Sequence, residues 1–159
     1  MIKGIIESII AAVIIAIVVG VYRCVVGQRI KIISPQQNGF LATAETRFGV
    51  VAHPVHGTLK HLPKGHKIWL LVIDEKTGKT WPQGFASVEF SKEQGTWSGY
   101  INVWGWQNVT VAAVVAPPTS QEYFNYFQRV GSKTNHEPIL GIPAECKHRD
   151  LVQVKVPKV

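Results

Sequence analysis

Lys3 and Arg23 bracket nineteen residues, Gly4 to Tyr22, among which only Glu7 and Ser8 are clearly polar. As a helix this run would be about 28 Å long, close to the hydrocarbon thickness of a bilayer. From Ile9 to Tyr22 it carries no charge. A core helix of a globular protein keeps a polar face, and this run has none. The reading is a single transmembrane helix, with Tyr22 at the interface and Arg23 able to snorkel. The competing readings are a buried core helix and a cleaved signal peptide. Cleavage needs a small-x-small site after the apolar part, and Val18-Val19-Gly20 is a poor version of one. Cys24, after Val21-Tyr22-Arg23, stands in the wrong context for a lipid-modified cysteine. An uncleaved signal-anchor in the cell membrane is therefore expected, with the lipid bilayer as a partner through residues 4–22.

Arg23, Arg29 and Lys31 follow the helix, while Lys3 and the terminal amine precede it. The positive-inside rule then leans by one charge toward a carboxy-terminal domain in the cytoplasm. A lone Cys146 fits a reducing compartment. Residues 1–28 read as anchor and short linker, and residues 29–159 as one domain. The whole chain has 159 residues, 46% of them hydrophobic and 17% charged, which excludes a disordered tail protein. Two cysteines exclude a disulfide scaffold and a four-cysteine zinc site.

From Ile30 onward the apolar runs are short, rich in β-branched residues and separated by Gly, Pro and Asn. That is the all-β signal. Strands are expected at Arg29–Ser34, Arg47–Thr58 (interrupted by Pro54), Lys67–Asp74, Lys79–Gln83, Phe85–Phe90, Thr96–Val103, Asn108–Ala116 and Asp150–Val156. The run Ile68 to Ile73 is unbroken, so its strand must be central or covered on both faces. Trp69 should fill the space between sheets, and Trp97 should also be core. One helix interrupts the strands. Thr119-Ser120-Gln121-Glu122 has the capping-box pattern, and Tyr123, Tyr126, Phe127 and Val130 make a stripe at helical spacing that should pack on an open end or edge of the sheet. About seven strands in this length imply a sandwich or a small barrel.

Few residues suggest chemistry. Gly78-Lys79-Thr80 lacks the earlier glycine of a phosphate loop, with Ile73 in its place. His148-Arg149-Asp150-Leu151 imitates a kinase catalytic loop, but Lys155 stands where the metal-binding Asn belongs. His53, His56, His61 and His66 cluster in sequence, yet a strand turns His53 and His56 to opposite faces, and the reading is solvated histidines with no metal site. Cys146 has His148 two residues on, but Lys147 and Arg149 are also there, and the segment reads as an exposed loop. No cofactor and no catalytic residue is expected. The formal charge of +7 is spread along the chain rather than gathered in one run, which argues against nucleic acid. Lys60, Lys64 and Lys67 form a basic surface loop that could lie near anionic headgroups. Trp81, Trp104 and Trp106 are the candidate ligand-binding residues, since sugars stack on exposed aromatic rings.

Ile30-Lys31-Ile32-Ile33-Ser34-Pro35, Gly57-Thr58 and Leu62-Pro63-Lys64-Gly65-His66-Lys67-Ile68-Trp69-Leu70-Leu71-Val72 together resemble the opening of bacterial immunoglobulin-like or fibronectin type III-like domains. Trp81-Pro82-Gln83-Gly84 and Gly95-Thr96-Trp97 are similar to the middle of such domains. The likeness covers residues 29–116, and the helix at Tyr123–Val130 departs from it. It implies an immunoglobulin-like β-sandwich with one short helix before the last strand, and a binding, spacing or adaptor role without catalysis. The expected function is a membrane-tethered recognition or adaptor module for a protein or small ligand. The alternatives are a carbohydrate-binding module using its tryptophans and a ligand-sensing, membrane-acting effector.

Overall fold

A computed structural model describes residues 30–42, 45–47, 50–91, 94–103, 108–131 and 137–157. The apolar run at 4–22 lies outside them, and among the described residues no helix is long and apolar enough to cross a membrane. The strands are β1 (Ile30–Ser34), β2 (Glu45–Arg47), β3 (Val50–Leu59), β4 (Lys67–Asp74), β5 (Thr80–Phe85), β6 (Ser87–Ser91), β7 (Gln94–Ile101), β8 (Asn108–Ala116) and β9 (Arg149–Lys155). One helix, α1 (Pro118–Gly131), precedes the last strand, as expected.

The strands form two antiparallel sheets. One runs β1-β3-β7-β6, with β2 pairing on β3, and the other runs β5-β4-β8-β9. Pro54 falls between the part of β3 that pairs with β2 (Val50 to Ala52) and the part that pairs with β1 (His56 to Leu59). A residue without an N–H is tolerated where a ladder is interrupted, so β3 continues past it. The chain passes from one sheet to the other at Ala86, between β5 and β6, and the Ala86 N–H donates to the Ile68 carbonyl at 2.8 Å. On the opposite side the Ile32 N–H donates to the Asp150 carboxylate at 2.7 Å, joining β1 to β9. The segment before β2 covers the rim of β9, with Leu41 N–H donating to Lys155 O at 3.0 Å and Lys155 N–H donating to Gly39 O at 2.8 Å. An edge strand treated this way offers fewer unpaired backbone groups to other chains.

Period-two alternation sorts the central strands into two cores. Ile68, Leu70 and Val72 of β4 and Val109, Val111, Ala113 and Val115 of β8 face Ile32, Val55, Leu59, Trp97 and Ile101 of the other sheet. The opposite face of the same strands carries Trp69, Leu71, Ala112, Val114 and Ala116, which pack with Phe124, Ile139 and Cys146. The unbroken apolar run of β4 is thus explained: its sheet is the middle layer, covered on both faces. Trp69 does not lie between the sheets, as its sequence context suggested. It is buried beneath α1, with its ring centroid 5.1 Å from that of Phe124 and 6.2 Å from that of Phe85. Trp97 occupies the inter-sheet core as expected, and its Nε1–H donates to Thr58 O at 3.1 Å.

The helix also corrects two expectations. It begins at Pro118, where a missing N–H costs nothing, and Gln121 N–H donates to Pro117 O at 3.0 Å, so the capping-box residues are already inside the helix. It lies across the face of β5, β4 and β8 rather than at an end or edge. Its inward residues are Ser120, Phe124 and Gly131, whereas Tyr123 and Tyr126 are exposed. The expected stripe was rotated because it counted two tyrosines, whose hydroxyls favour a wet boundary, as core residues.

Candidate functional site

Strand register gathers several loops at one end of the sandwich. Ile30 pairs with Leu59, Leu59 with Gly95 and Lys67 with Ala116. The start of β1, the β3–β4 loop, the start of α1 and the approach to β9 therefore share that end. Gln121 ties them: its Nε2–H groups donate to Gly65 O at 2.8 Å and to Ala116 O at 2.9 Å.

Two open clefts flank the start of α1. The first, about 330 Å3, lies between Thr119, Ser120 and Tyr123 on the helix and the segment Leu140–Pro143 with Glu145. The second, about 460 Å3, lies between Pro63 and His66 of the β3–β4 loop and Glu145, Lys147 and His148. The first has an apolar rim. Leu140 is fully exposed and Tyr123 is 39% exposed, with Ile142 and Pro143 beside them. Ile139 anchors this segment: its side chain is buried and its N–H donates to Thr80 O at 2.8 Å. Leu140 is thus held outward by a neighbour that points inward. Sequence reasoning missed this loop. It has neither period two nor period 3.6, and its only signal is an apolar stretch bounded by Pro138 and Pro143.

Beneath the first cleft lies Cys146, which the sequence placed in an exposed loop. It is 1% exposed. Burial pushes its thiol above the usual value, with the Ser120 hydroxyl pulling the other way and Glu145 adding to the rise. The buried Ser120 hydroxyl makes no hydrogen bond of good geometry, so that pull is a weak polar contact. A neutral, buried thiol is a poor nucleophile.

The histidines separate. His53 is buried rather than solvated, and its Nδ1–H donates to the Ala42 carbonyl at 2.7 Å. His56 points the other way and is exposed. His61 is exposed on the β3–β4 loop and His66 lines the larger cleft. Among the described residues no three His, Cys, Asp or Glu side chains converge on a metal position. Of the tryptophans proposed to bind a ligand, Trp81 stands on edge strand β5 opposite Val72 and is half-buried. Trp104 and Trp106 lie outside the described residues. Lys60, Lys64 and Lys67 are all exposed. The Lys67 ammonium sits 4.4 Å from the centroid of the Phe85 ring. The structure adds exposed Lys147 and Arg149 to the same end.

The opposite end is built differently. In the β4–β5 turn the Asp74 carboxylate accepts from the Thr77 hydroxyl and from Lys76 N–H, and these bonds, Thr77 first, hold its carboxyl below the usual value. Gly78 closes the turn at φ 69°. This turn is structural.

No protein-family model, no curated protein sequence and no solved structure matches the chain.

Proposed function

We propose that the chain is a non-catalytic, membrane-tethered recognition or adaptor module built on an immunoglobulin-like sandwich. The strand order supports the fold assignment. β1-β3-β7-β6 facing β5-β4-β8-β9 agrees with the strand order of an immunoglobulin domain that has one strand added to its second sheet. α1 is an elaboration that covers the outer face of that second sheet. The tether rests on the apolar run between Lys3 and Arg23.

The observation that carries the recognition reading is the apolar rim of the first cleft. Leaving a leucine and its neighbours in water forgoes about 1.5–3 kcal/mol per side chain that burial would supply. A group of such residues held outward by a buried anchor is the signature of a contact surface rather than of a core. Among the described residues the cleft is lined by one carboxylate, Glu145, and the thiol nearest it is buried, which favours contact over acid–base or nucleophilic chemistry. Neither the carbohydrate reading nor the effector reading has an observation of comparable weight. Trp81 is half-buried on its edge strand, and both clefts open to solvent.

A photo-crosslinking residue placed at Leu140 in the full chain, irradiated in cells, is expected to give a discrete adduct that the same residue at Lys76 does not give. Equal adducts at both positions, or none at Leu140, would remove the recognition assignment.

A further inference from the structure

We propose that the end of the sandwich bearing Lys60, Lys64, Lys67, Lys147 and Arg149 is a docking surface for anionic lipid headgroups, holding the domain against its own membrane. The inference rests on the tether reading and adds to it an orientation and a lipid class. Its starting point is topology. β1 begins at Ile30, opposite Leu59, so the chain enters the domain at the same end as the β3–β4 loop. Seven peptide steps separate Arg23 from Ile30, a reach of about 25 Å when fully extended. A sandwich on so short a leash keeps this end toward the bilayer.

Among the described residues cations outnumber carboxylates at that end. Lys60 and Lys64 lie on the β3–β4 loop, Lys67 starts β4, and Lys147 and Arg149 lie on the approach to β9; all five are exposed. Among the described residues the carboxylates at this end are Glu89 on β6, Glu122 in the first turns of α1, Glu145 on the rim between the clefts, and Asp150, which is half-buried and engaged by Ile32 N–H. The N-terminus of α1 opens at the same end and adds its positive dipole. The far end is mixed, with Asp74 and Glu75 beside Lys76 and Lys79. The loops are also fastened to one another. Gln121 bonds the β3–β4 loop at Gly65 and the end of β8 at Ala116, so the cations are presented as one surface. Attraction of this kind decays within a Debye length, about 8 Å at physiological salt, so a tether that keeps the end close to the leaflet strengthens it. The chemistry suits a leaflet rich in phosphatidylserine or phosphatidylglycerol.

The test is lysine footprinting of the full chain. Protein is mixed with vesicles of phosphatidylcholine alone, or of phosphatidylcholine with phosphatidylglycerol. It is floated on a density gradient, treated with a membrane-impermeant amine-acylating reagent and read by mass spectrometry. On the anionic vesicles acylation of Lys60, Lys64 and Lys147 is expected to slow about tenfold relative to the neutral ones, with Lys76 and Lys79 unchanged and the difference erased by high salt. Flotation on both vesicles with equal acylation would overturn the docking surface and leave the tether standing. Flotation only on anionic vesicles, with these lysines protected, would overturn the tether and leave the surface standing. Flotation on neither would overturn both.

Discussion

Replacing Trp69 with alanine is expected to lower the stability of the domain by about 3–5 kcal/mol, the cost of deleting a large core aromatic. Trp69 sits at the centre of the outer core, flanked by Phe85 and Phe124 and roofed by α1. Ala112 and Ala116 on the neighbouring strand are too small to move into the space it would leave. Its indole Nε1 is buried with no hydrogen-bond partner. Trp69→Phe therefore loses volume but no hydrogen bond, and removes a buried unpaired donor worth about 1–3 kcal/mol in penalty. It should cost much less than the alanine variant. Urea unfolding followed by circular dichroism gives the comparison. Leu151, 41% exposed on β9, serves as the reference. A Trp69→Ala loss no larger than that of Leu151→Ala would contradict the placement of the ring under the helix.

Gly57→Ala is the second large effect, at about 3 kcal/mol, the upper end of overpacking costs. Gly57 lies in β3 directly opposite Trp97. A methyl group there would collide with the Lys31 carbonyl oxygen on one side and the Trp97 ring on the other. Neither can retreat, since Lys31 is held in the ladder between β1 and β3 and the Trp97 ring is pinned by its bond to Thr58 O. The entropic benefit of removing a glycine from the unfolded chain, about 0.4–1 kcal/mol, is too small to compensate. Gly78→Ala makes the contrast. Its positive φ costs about 1–2 kcal/mol, but an added methyl meets nothing. Thermal unfolding of both variants should rank Gly57→Ala as clearly the worse. Equal losses would mean that backbone conformation, not the close approach of Trp97, dictates glycine at position 57.

These two positions also show what the sequence makes legible. Strand positions are readable because turn residues punctuate them. Glu75-Lys76-Thr77-Gly78 and Pro117-Pro118 stop β4 and β8 near where the apolar runs end. The run Ile68 to Ile73 marked β4 as central or covered on both faces. It could not reveal which face Trp69 takes, because both faces are apolar and alternation carries no sign. The missing information was the position of α1, a tertiary fact. The same holds for Cys146. Its neighbours Lys147 and Arg149 read as surface, and they are, but the thiol turns inward beneath Ser120 and Phe124. His53 likewise owes its burial to the Ala42 carbonyl, eleven residues earlier in the chain. The rim around Leu140 belongs to irregular backbone, for which hydrophobic periodicity offers no template. The basic end was half visible. Lys60, Lys64 and Lys67 are close in sequence, while Lys147 and Arg149 join them only through the pairing of β8 with β9.

The central claim is that a folded sandwich hangs from a membrane helix, and alkaline carbonate fractionation tests it most directly. The full chain is compared with a chain beginning at Gln28. The account predicts that the full chain stays in the membrane pellet, because an apolar helix of bilayer length is not released by breaking electrostatic contacts. It predicts that the shorter chain is soluble and unfolds cooperatively, because the described residues from Ile30 onward already build two cores. Release of the full chain into the carbonate supernatant, or an insoluble and unfolded shorter chain, would contradict it.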